Sequence, residues 1–312
     1  MRRYKIIVNP ASGRGLGSKS YPLIEKQLGL LGLDFDMEWT EAPGHAVKLA
    51  EQAAMEGYDV VAAAGGDGTI NEVLNGLMQA RSNGRPNTIL GVIPIGRGND
   101  FCYGINVPHD LPAACELLAK CETKPINIGL VVGGDYPEGR YFGNGVGIGF
   151  DAVVGFEALK LKRLHGFPSY IVAALKTILL YFQAPTVQIE MDGQTYTQPA
   201  LMVSLMNGRR LGGGFMMAPN GEMDDGLLDL CIAGQVSRLG ILALIPRFMA
   251  GTQASHPAIQ TQQAAAIKVS AIDGTLPAHG DGETLCTAGQ ALTISIVPEL
   301  MDVITPSAGL SG

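Results

Sequence analysis

The sequence feature that most constrains the fold is a glycine-rich turn at residues 65–68, which carries one acid, Asp67. Residues 58–64 before it are almost wholly apolar, which is typical of a parallel strand covered on both faces. Apolar residues in 70–77 recur with the spacing of one helix face. Because glycine lets the backbone approach a ligand and a helix N-terminus attracts anions, this strand, turn and helix predict a phosphate site.

The same turn has a simpler interpretation as a tight strand-to-helix connection without a ligand. Asp67 argues against it, because an acid in an anion-binding turn best serves to reach a metal ion on a phosphate or a sugar hydroxyl. No Gly-Lys-Ser/Thr follows the turn, and no G-x-G-x-x-G occurs in the chain, which excludes the Walker A and Rossmann patterns. The phosphate chemistry must therefore follow another pattern.

Strand and helix patterns alternate through the first part of the chain. Further strand patterns occupy residues 5–8, 35–39 and 89–94, and helix patterns occupy residues 18–31 and 46–55. Alternation at this spacing predicts an α/β domain with a doubly wound parallel sheet. Its ligands would lie at the carboxyl ends of the strands, where glycine-rich loops follow.

From about residue 125, short strand patterns separated by Gly, Asp and Pro turns predict a second, larger domain that is mainly an antiparallel β-sandwich. Two helices are predicted between residues 155 and 182, the second of them apolar and the first basic. This segment has two possible roles. It could dock on a membrane surface, or it could pack on the sandwich with its basic edge in solvent. The basic residues of the first helix are Lys160, Lys162, Arg163 and His165.

Composition excludes several classes of protein. The chain has 312 residues, 46% of them hydrophobic, with a net charge of −7 and a pI of about 5.3. It is therefore globular, and neither nucleic-acid binding nor general attraction to anionic lipid is expected. The five cysteines are odd in number and lack C-x-x-C spacing, which argues against a disulfide framework or a zinc site. The first residues do not resemble a signal peptide, so a cytoplasmic protein is predicted.

Loops at two predicted strand ends carry side chains suited to a nucleotide. Arg14 and Lys19 follow the first strand and are candidate phosphate cations, although solvated surface charges have the same pattern. Asn99 and Asp100 follow the strand at 89–94 and are suited to hydrogen-bond a ribose or adenine, or to position a metal ion. A simple Asx turn is the alternative for this pair.

Residues 65–69, Gly-Gly-Asp-Gly-Thr, with the pair Asn71-Glu72, resemble the signature shared by diacylglycerol kinases, sphingosine kinases and NAD kinases. Arg97 departs from the lipid kinases, which usually have Thr or Ser there, so either an extra cation meets the nucleotide or the local geometry differs. The resemblance extends over nearly the whole chain. Four more stretches resemble motifs of the lipid-kinase branch: residues 8–13, 93–101, 143–152 and 281–283.

The resemblance to the diacylglycerol kinase catalytic-domain family implies ATP-dependent phosphorylation of a lipid alcohol, with diacylglycerol to phosphatidic acid as the leading candidate. ATP and Mg²⁺ would be the cofactors. Residues 1–124, completed by about 293–312, would bind the nucleotide, and residues 125–292 would bind the lipid. The active site is expected in the interdomain cleft.

The resemblance also implies roles for single residues. Asp281 would take the proton from the lipid hydroxyl, with Glu283 in support, although spacing alone would predict only a hairpin turn. His279, outside the motif, is expected at the surface. The predicted metal ligands are Asp67, Glu222, Asp225 and the Leu227 carbonyl, with Asp224 in reserve. The nucleotide-binding residues predicted from the loops and the resemblance are Asn9, Ser12, Arg14, Lys19, Gly65, Gly66, Asp67, Gly68, Thr69, Glu72, Gly96, Asn99 and Asp100.

The predicted partners are ATP and a lipid substrate at the membrane surface, with no nucleic acid, and a homodimer is left open. The protein would then lie in the cytoplasm, peripheral to the inner face of the membrane. Two rival functions remain. One is NAD kinase, which shares the glycine turn, and the other is a non-catalytic nucleotide- or lipid-binding regulatory protein on the same fold.

Overall fold

The computed structural model describes residues 2–85, 88–161, 167–180 and 184–307. The chain forms two compact units, one from Met1–Ile126 with Glu299–Gly312 and the other from Asn127–Pro298. The domain boundaries predicted from the sequence, after residues 124 and 292, each fall inside a strand that passes from one unit to the other.

The first unit alternates strands and helices. Its strands pair in the order β2-β1-β3-β4, all in parallel, while α2 packs on α3 and α1 packs on α5. The predicted α/β domain with a parallel sheet is therefore confirmed. In chain order the elements are β1 (Arg3–Val8), α1 (Ser12–Leu30), β2 (Asp34–Trp39), α2 (His45–Met55), β3 (Val60–Gly65), α3 (Asp67–Ser82), β4 (Ile89–Pro94), α4 (Asp100–Gly104) and α5 (Leu111–Lys120).

β3 lies in the middle of this sheet and is buried along its whole length, which explains its uninterrupted apolar run. α3 follows it and comes very close to α2. A Cβ on Gly76 would lie 2.2 Å from the carbonyl oxygen of Val47, so glycine is needed for this approach. The carboxyl end of β3 thus has a fixed position between two neighbouring strand ends.

The second unit is built mainly of strands, and β5 leads into it from the first. The last residues of β16 belong to the first unit, where Val303 pairs in parallel with Leu90. In chain order the elements are β5 (Thr123–Gly133), β6 (Tyr136–Phe142), β7 (Gly145–Gly149), α6 (Phe150–Lys160), α7 (Phe167–Leu180), β8 (Thr186–Met191), β9 (Gln194–Pro199), β10 (Met202–Met206), β11 (Leu228–Ala233), α8 (Arg238–Ala250), β12 (Ile259–Ala264), β13 (Ala266–Ala271), β14 (Leu276–Gly280), β15 (Glu283–Gly289) and β16 (Ala291–Ile304).

Two layers of antiparallel strands enclose the core of the second unit. One layer has the order β12-β11-β10-β7-β14-β15, and the other contains β16-β13-β8-β9 with β5 and β6. Apolar side chains from both layers form one cluster, to which Val146 and Val203 contribute from the first layer and Ile189 and Val269 from the second. The predicted antiparallel β-sandwich is therefore confirmed.

The two helices predicted between residues 155 and 182 are present as α6 and α7, whereas α8 was not predicted. Lys162, Arg163 and His165 of the predicted basic run lie outside the described residues. Among the helices of the described ranges, none combines the length and the hydrophobicity that crossing a membrane requires.

Candidate active site

The glycine turn joins β3 to α3 through Gly66, whose backbone is extended and which precedes the first helical residue, Asp67. Gly66, the N-cap residue, has no side chain that could cap this end of α3, and Gly68 and Thr69 follow Asp67 in its first turn. A Cβ on Gly65 would lie 2.5 Å from the Cβ of Thr69, so the turn requires glycine there. A helix N-terminus with glycine at its N-cap is an arrangement that suits phosphate.

Two neighbouring loops lie against this turn. A Cβ on Gly96 would be 2.5 Å from the Cα of Gly66, so the loops after β3 and β4 meet backbone against backbone. A Cβ on Gly13 would be 2.7 Å from the carbonyl oxygen of Ile95, which brings the loop after β1 to the same place. The structure thus gathers three separately predicted glycine-rich loops at one edge of the parallel sheet.

Asn9 ties the first loop to the glycine turn. Its side-chain amide donates a hydrogen bond to the Thr69 hydroxyl (2.9 Å), and its side-chain oxygen accepts one from the N–H of Ala11 (3.0 Å). Its own backbone N–H donates to the carbonyl of Ala64. Asn9 and Thr69 therefore hold the loops together, and direct contact of either with a nucleotide stays a prediction.

The first loop ends in three consecutive left-handed residues, 13–15, with φ of 58°, 60° and 89°. Arg14 holds this conformation although it has a Cβ, at a cost of about 1 kcal/mol. Arg14 and Lys19 are exposed and Ser12 is half-buried. Exposed cations on a loop that touches the β4 loop suit phosphate contact, but exposure suits a surface charge equally, so these assignments stay predictions.

The Asp67 carboxyl group is hydrogen-bonded to the segment that follows β4. Its Oδ1 accepts a hydrogen bond from the backbone N–H of Phe101 at 3.1 Å, at the start of α4. Burial raises the pKa of the Asp67 carboxyl, and the N–H groups of Phe101, Asp100 and Asn99 lower that pKa in part. Asp67 therefore positions the second loop, a role that the sequence did not predict.

A second carboxylate approaches the same point. A Cβ on Gly98 would lie 2.9 Å from Oδ2 of Asp67 and 3.2 Å from Oδ2 of Asp100, so both oxygens border the space beside Gly98. Mg²⁺ is usually bound by one or two carboxylates together with substrate phosphates. The pair fits that chemistry, and Mg²⁺ binding here stays a prediction.

The rest of the β4 loop carries Arg97 and Asn99. Asn99 has a left-handed backbone with φ of 51°, and its side-chain amide donates to the carbonyl of Gly96 at 3.2 Å. Within the described ranges, Nη1 of Arg97 is shielded from solvent and has no hydrogen-bond partner. An arginine nitrogen shielded in this way beside glycine loops is well suited to an anion.

Glu72, predicted to bind the nucleotide, has its carboxylate at the N-terminus of α2. Its two carboxylate oxygens accept hydrogen bonds from the N–H groups of Gly44 (2.8 Å) and Ala46 (3.1 Å). It thus caps the N-terminus of α2, where a negative charge is favourable. The predicted nucleotide contact of Glu72 stays a prediction, and its observed contacts are structural.

Asp281 is a buried carboxylate of the second unit, with 4% of its surface exposed. Its Oδ2 accepts a hydrogen bond from the N–H of Gly143 (2.6 Å), and its Oδ1 accepts two, from Asn144 (3.1 Å) and Gly145 (2.9 Å). Buried Asn207 supports this cradle by donating to the carbonyl of Gly143 at 2.7 Å. Three backbone donors fix the orientation of the carboxylate and stabilise its negative charge.

The hairpin interpretation of this motif is also correct. Asp281 and Gly282 have φ of 48° and 85° and form the two-residue turn between β14 and β15, where Gly280 pairs with Glu283. An ordinary hairpin turn is solvated, whereas this one turns its acid inward. Glu283 is half-buried at the start of β15, next to the turn.

The acidic turn at residues 219–227 keeps its carboxylates exposed. Asp225 accepts a hydrogen bond from the N–H of Leu227 at 2.9 Å, while Glu222 and Asp224 point to solvent. The side-chain oxygen of Asn127 accepts from the N–H groups of Gly226 and Asp225 and so holds the turn. Across the described ranges, no three Asp, Glu, His or Cys side chains are arranged to hold one metal ion. The predicted metal site stays a prediction.

A buried polar cluster beside the Asp281 cradle was not predicted. The Ser204 hydroxyl donates to Asp151 at 2.7 Å, and burial raises the pKa of Asp151 to about 7. A Cβ on Gly147 would lie 2.3 Å from Asp151 Oδ2 and 2.5 Å from His279 Nε2, so both groups border that glycine. His279, which was expected at the surface, is half-buried on β14, and burial lowers its pKa to about 4.

Comparison with known proteins divides the chain in a similar way. Residues 3–131 match the family described as the diacylglycerol kinase catalytic domain, and residues 144–305 match the family described as the YegS C-terminal NAD kinase β-sandwich-like domain. A diacylglycerol kinase of Staphylococcus aureus (strain JH9) is 33% identical over 286 residues, covering 90% of this chain and 86% of that protein.

Two solved structures share the fold. That of a proposed diacylglycerol kinase from Bacillus anthracis str. Sterne superimposes with a TM-score of 0.77 at 26% identity and covers 98% of both chains. That of an NAD kinase from Archaeoglobus fulgidus, in complex with ATP, superimposes with a TM-score of 0.53 at 14% identity, covering 98% of this chain and 94% of that one. At 14% identity the likeness concerns the fold alone.

Proposed function

This chain belongs to the diacylglycerol kinase family, as its motifs predicted, and we propose that it transfers the γ-phosphoryl group of ATP to the hydroxyl of a lipid alcohol. Diacylglycerol is the leading substrate, and phosphatidic acid is the corresponding product. The observation that carries the proposal is the buried Asp281 carboxylate, held by three backbone N–H groups. A protein that only bound a nucleotide would not need a carboxylate built in this way.

The first unit supplies the nucleotide site in this proposal. The phosphates of ATP lie at the N-terminus of α3, between the three glycine-rich loops. Arg14, Lys19 and Arg97 are the cations available to neutralise them. Asp67 and Asp100 would hold a Mg²⁺ ion that accompanies the phosphates, and this ion would supply further charge neutralisation. Residues 1–124 with 293–312 would be the nucleotide domain and residues 125–292 the lipid domain.

The second unit supplies the group that receives the proton. As the lipid oxygen bonds to the γ-phosphorus, its proton passes to Asp281, and the bond from the γ-phosphorus to the bridging oxygen breaks to release ADP. The transition state of phosphoryl transfer is loose and depends on positioning and charge more than on base strength. A carboxylate with a fixed orientation therefore suffices, and Glu283 supports it.

The proposed setting is the inner face of the membrane, where a cytoplasmic kinase meets its lipid. A diacylglycerol is held by its acyl chains in a bilayer, so the enzyme must reach that surface to bind it. The two rival functions, NAD kinase and a non-catalytic binding protein, make different predictions for the same assay.

The assay measures phosphate transfer from labelled ATP with Mg²⁺ to diacylglycerol, monoacylglycerol, sphingosine, ceramide, phosphatidylglycerol and NAD, each lipid in mixed micelles. Label on one lipid alcohol, and none on NAD, is the expected result and identifies the substrate class. Label on NAD would support the first rival. Bound ATP without any labelled product would support the second rival and contradict the proposal.

A further inference from the structure

Acidic residues are distributed unevenly along this chain. It contains 29 of them among 312 residues, yet none stands between Glu157 and Glu190, and none stands between Asp229 and Asp273. Both acid-free stretches contain cations. Because the protein as a whole has a net charge of −7, these two stretches are cationic parts of an acidic chain. The first stretch contains α7 and the second contains α8.

α8 is apolar on both its inner and its outer side. Ile241, Leu244 and Phe248 face the protein and are buried. A surface helix normally has a polar outer face, and a helix apolar all round is normally buried. α8 follows neither rule, since Leu239 is 77% exposed. The outer face of α8 carries Leu239, Leu242, Ala243, Pro246 and Met249.

α7 continues this exposed apolar surface. Ala173, Ala174 and Ile178 are buried, while Val172 and Leu175 are exposed. α7 and α8 pack on each other, with Ile178 of α7 and Ile241 of α8 in one apolar cluster. We name the exposed set the apolar docking face. It consists of Val172, Leu175, Leu239, Leu242 and Met249.

Cations occur on α7 and α8, the two helices that carry the apolar docking face. Arg238 and Arg247 lie on opposite edges of the outer side of α8, and Arg247 donates to the hydroxyl of Ser255 at 3.0 Å. Lys160 and Lys176 both pair with buried Glu157, so this group of three keeps one positive charge. An exposed apolar face with cations at its rim matches a bilayer that contains anionic lipids.

We propose that the apolar docking face inserts into the surface of a bilayer containing anionic lipid, with Arg238 and Arg247 at the level of the headgroups. The proposal rests on the proposed lipid-kinase function and names the surface through which the enzyme reaches its substrate. The acidic remainder of the chain would be repelled by the same membrane, so the face also orients the protein.

The experiment measures flotation of the full chain with vesicles of phosphatidylcholine, alone or mixed with phosphatidylglycerol. We expect Leu239→Ser/Leu242→Ser to lower partitioning onto mixed vesicles by at least about tenfold, because two inserted leucines are lost. Arg238→Gln/Arg247→Gln should lower it by about tenfold on mixed vesicles only. The matched control is Leu30→Ser, since Leu30 is 72% exposed in the first unit and should change nothing.

Two further readouts separate this inference from the proposed function. Phosphate transfer to a short-chain diacylglycerol dissolved as monomers should be equal in the wild type and in the leucine variant. If the wild type transferred no phosphate but its partitioning still depended on Leu239 and Leu242, only the proposed function would fail. Equal partitioning of the leucine variant, the Leu30 control and the wild type would overturn the docking face. So would a wild-type dimer, seen by light scattering, that the leucine variant dissociates while its vesicle partitioning stays unchanged.

Discussion

Asp67 in the first unit is half-buried and Asp281 in the second is buried. Both lie at glycine-rich turns, and both accept hydrogen bonds from the backbone of another segment. Asp67 grips the N–H groups at the start of α4. Asp281 accepts hydrogen bonds from the backbone N–H groups of Gly143, Asn144 and Gly145. The contact of Asp67 holds the loop after β4 against the glycine turn. The contacts of Asp281 fix the orientation of the acid itself.

The difference teaches how the two units divide the proposed work. In the first unit, glycines make the site and the acid holds the loop after β4 against the glycine turn, so that phosphates would meet backbone and cations. In the second unit, backbone N–H groups hold the acid in place, and the acid is the group proposed to accept the proton. Changes at Asp67 should therefore disturb nucleotide binding, and changes at Asp281 should disturb transfer.

Among the variants of the nucleotide site, Asp67→Asn is expected to have the largest effect. Asparagine keeps one acceptor oxygen but turns an N–H₂ group toward backbone donors, so the β4 loop loses its anchor and phosphate transfer should fall by about 10²–10³-fold. Isothermal titration with ATP, with and without Mg²⁺, measures the cause. A loss confined to Mg²⁺-containing samples would mean that the proposed metal-binding role of Asp67 causes the loss, and that its contact with the β4 loop does not.

Asp151 is another buried aspartate, and its contribution to stability depends on pH. The pKa of Asp151 is raised to about 7, so its contribution to stability is present below its ordinary value of 3.8 and is lost as pH rises through 7. The pKa of His279 is lowered to about 4, so its contribution is present above 6.5 and is lost as pH falls through 4. Between pH 4 and 6.5 the two effects oppose each other.

Asp151→Asn should therefore expose the His279 effect. We expect the free energy of unfolding of the variant to fall by about 3 kcal/mol from pH 6.5 to 4, while the wild type shows a flatter profile. Urea titrations at several pH values measure this. Asp273→Asn is the control, because Asp273 is exposed and its pKa is lowered, so its effect lies below pH 4. A flat profile in Asp151→Asn would contradict the account.

A smaller effect, on ATP affinity, is expected for Gly96→Ala at the contact between the loops after β3 and β4. In Gly96→Ala, the new Cβ would lie 2.5 Å from the Cα of Gly66 and 2.4 Å from Oδ1 of Asn99, so the two loops must separate. Overpacking of this kind costs about 1–3 kcal/mol, and ATP affinity should fall by about tenfold. Gly29→Ala is the matched control, since nothing lies within 4 Å of its Cβ. Unchanged ATP affinity in Gly96→Ala would break the idea of a single three-loop site.

The smallest effect is expected for Glu72→Gln. Glutamine offers one acceptor oxygen where Glu72 uses two, and it removes a negative charge from the N-terminus of α2. The free energy of unfolding should fall by about 1 kcal/mol, with ATP affinity unchanged. Thermal melts and ATP titration measure both quantities. A large loss of affinity with unchanged stability would restore the nucleotide contact predicted from the motif.

The sequence predicted the first unit better than the second, because local patterns decide more of it. β4 has the bounds that its pattern indicated, since its apolar run has clear ends. β7 was missed because three of its five residues are glycine, and it is a strand only because β10 and β14 pair with it. α8 was missed because its outer face is apolar and gives no helical period.

For the candidate site, the sequence predicted which turns carry chemistry but not what their side chains touch. The place of Asp67 follows from the strand and helix around it. Its contact with Phe101 depends on β3 and β4 being neighbours, and the contact of Glu72 with α2 depends on helix packing. The inward turn of Asp281 depends on the backbone of Gly143–145, which only the paired strands bring near.

The most direct test of the central claim is phosphate transfer to diacylglycerol by Asp281→Asn, with the dissociation constant of ATP measured on the same sample. A thermal melt would first show that the variant is folded at the assay temperature. The account predicts a rate lower by about 10²–10⁴-fold, the range for loss of a group that accepts a proton, with ATP affinity unchanged. A rate equal to that of the wild type would contradict it, since Asp281 would then be a structural residue alone.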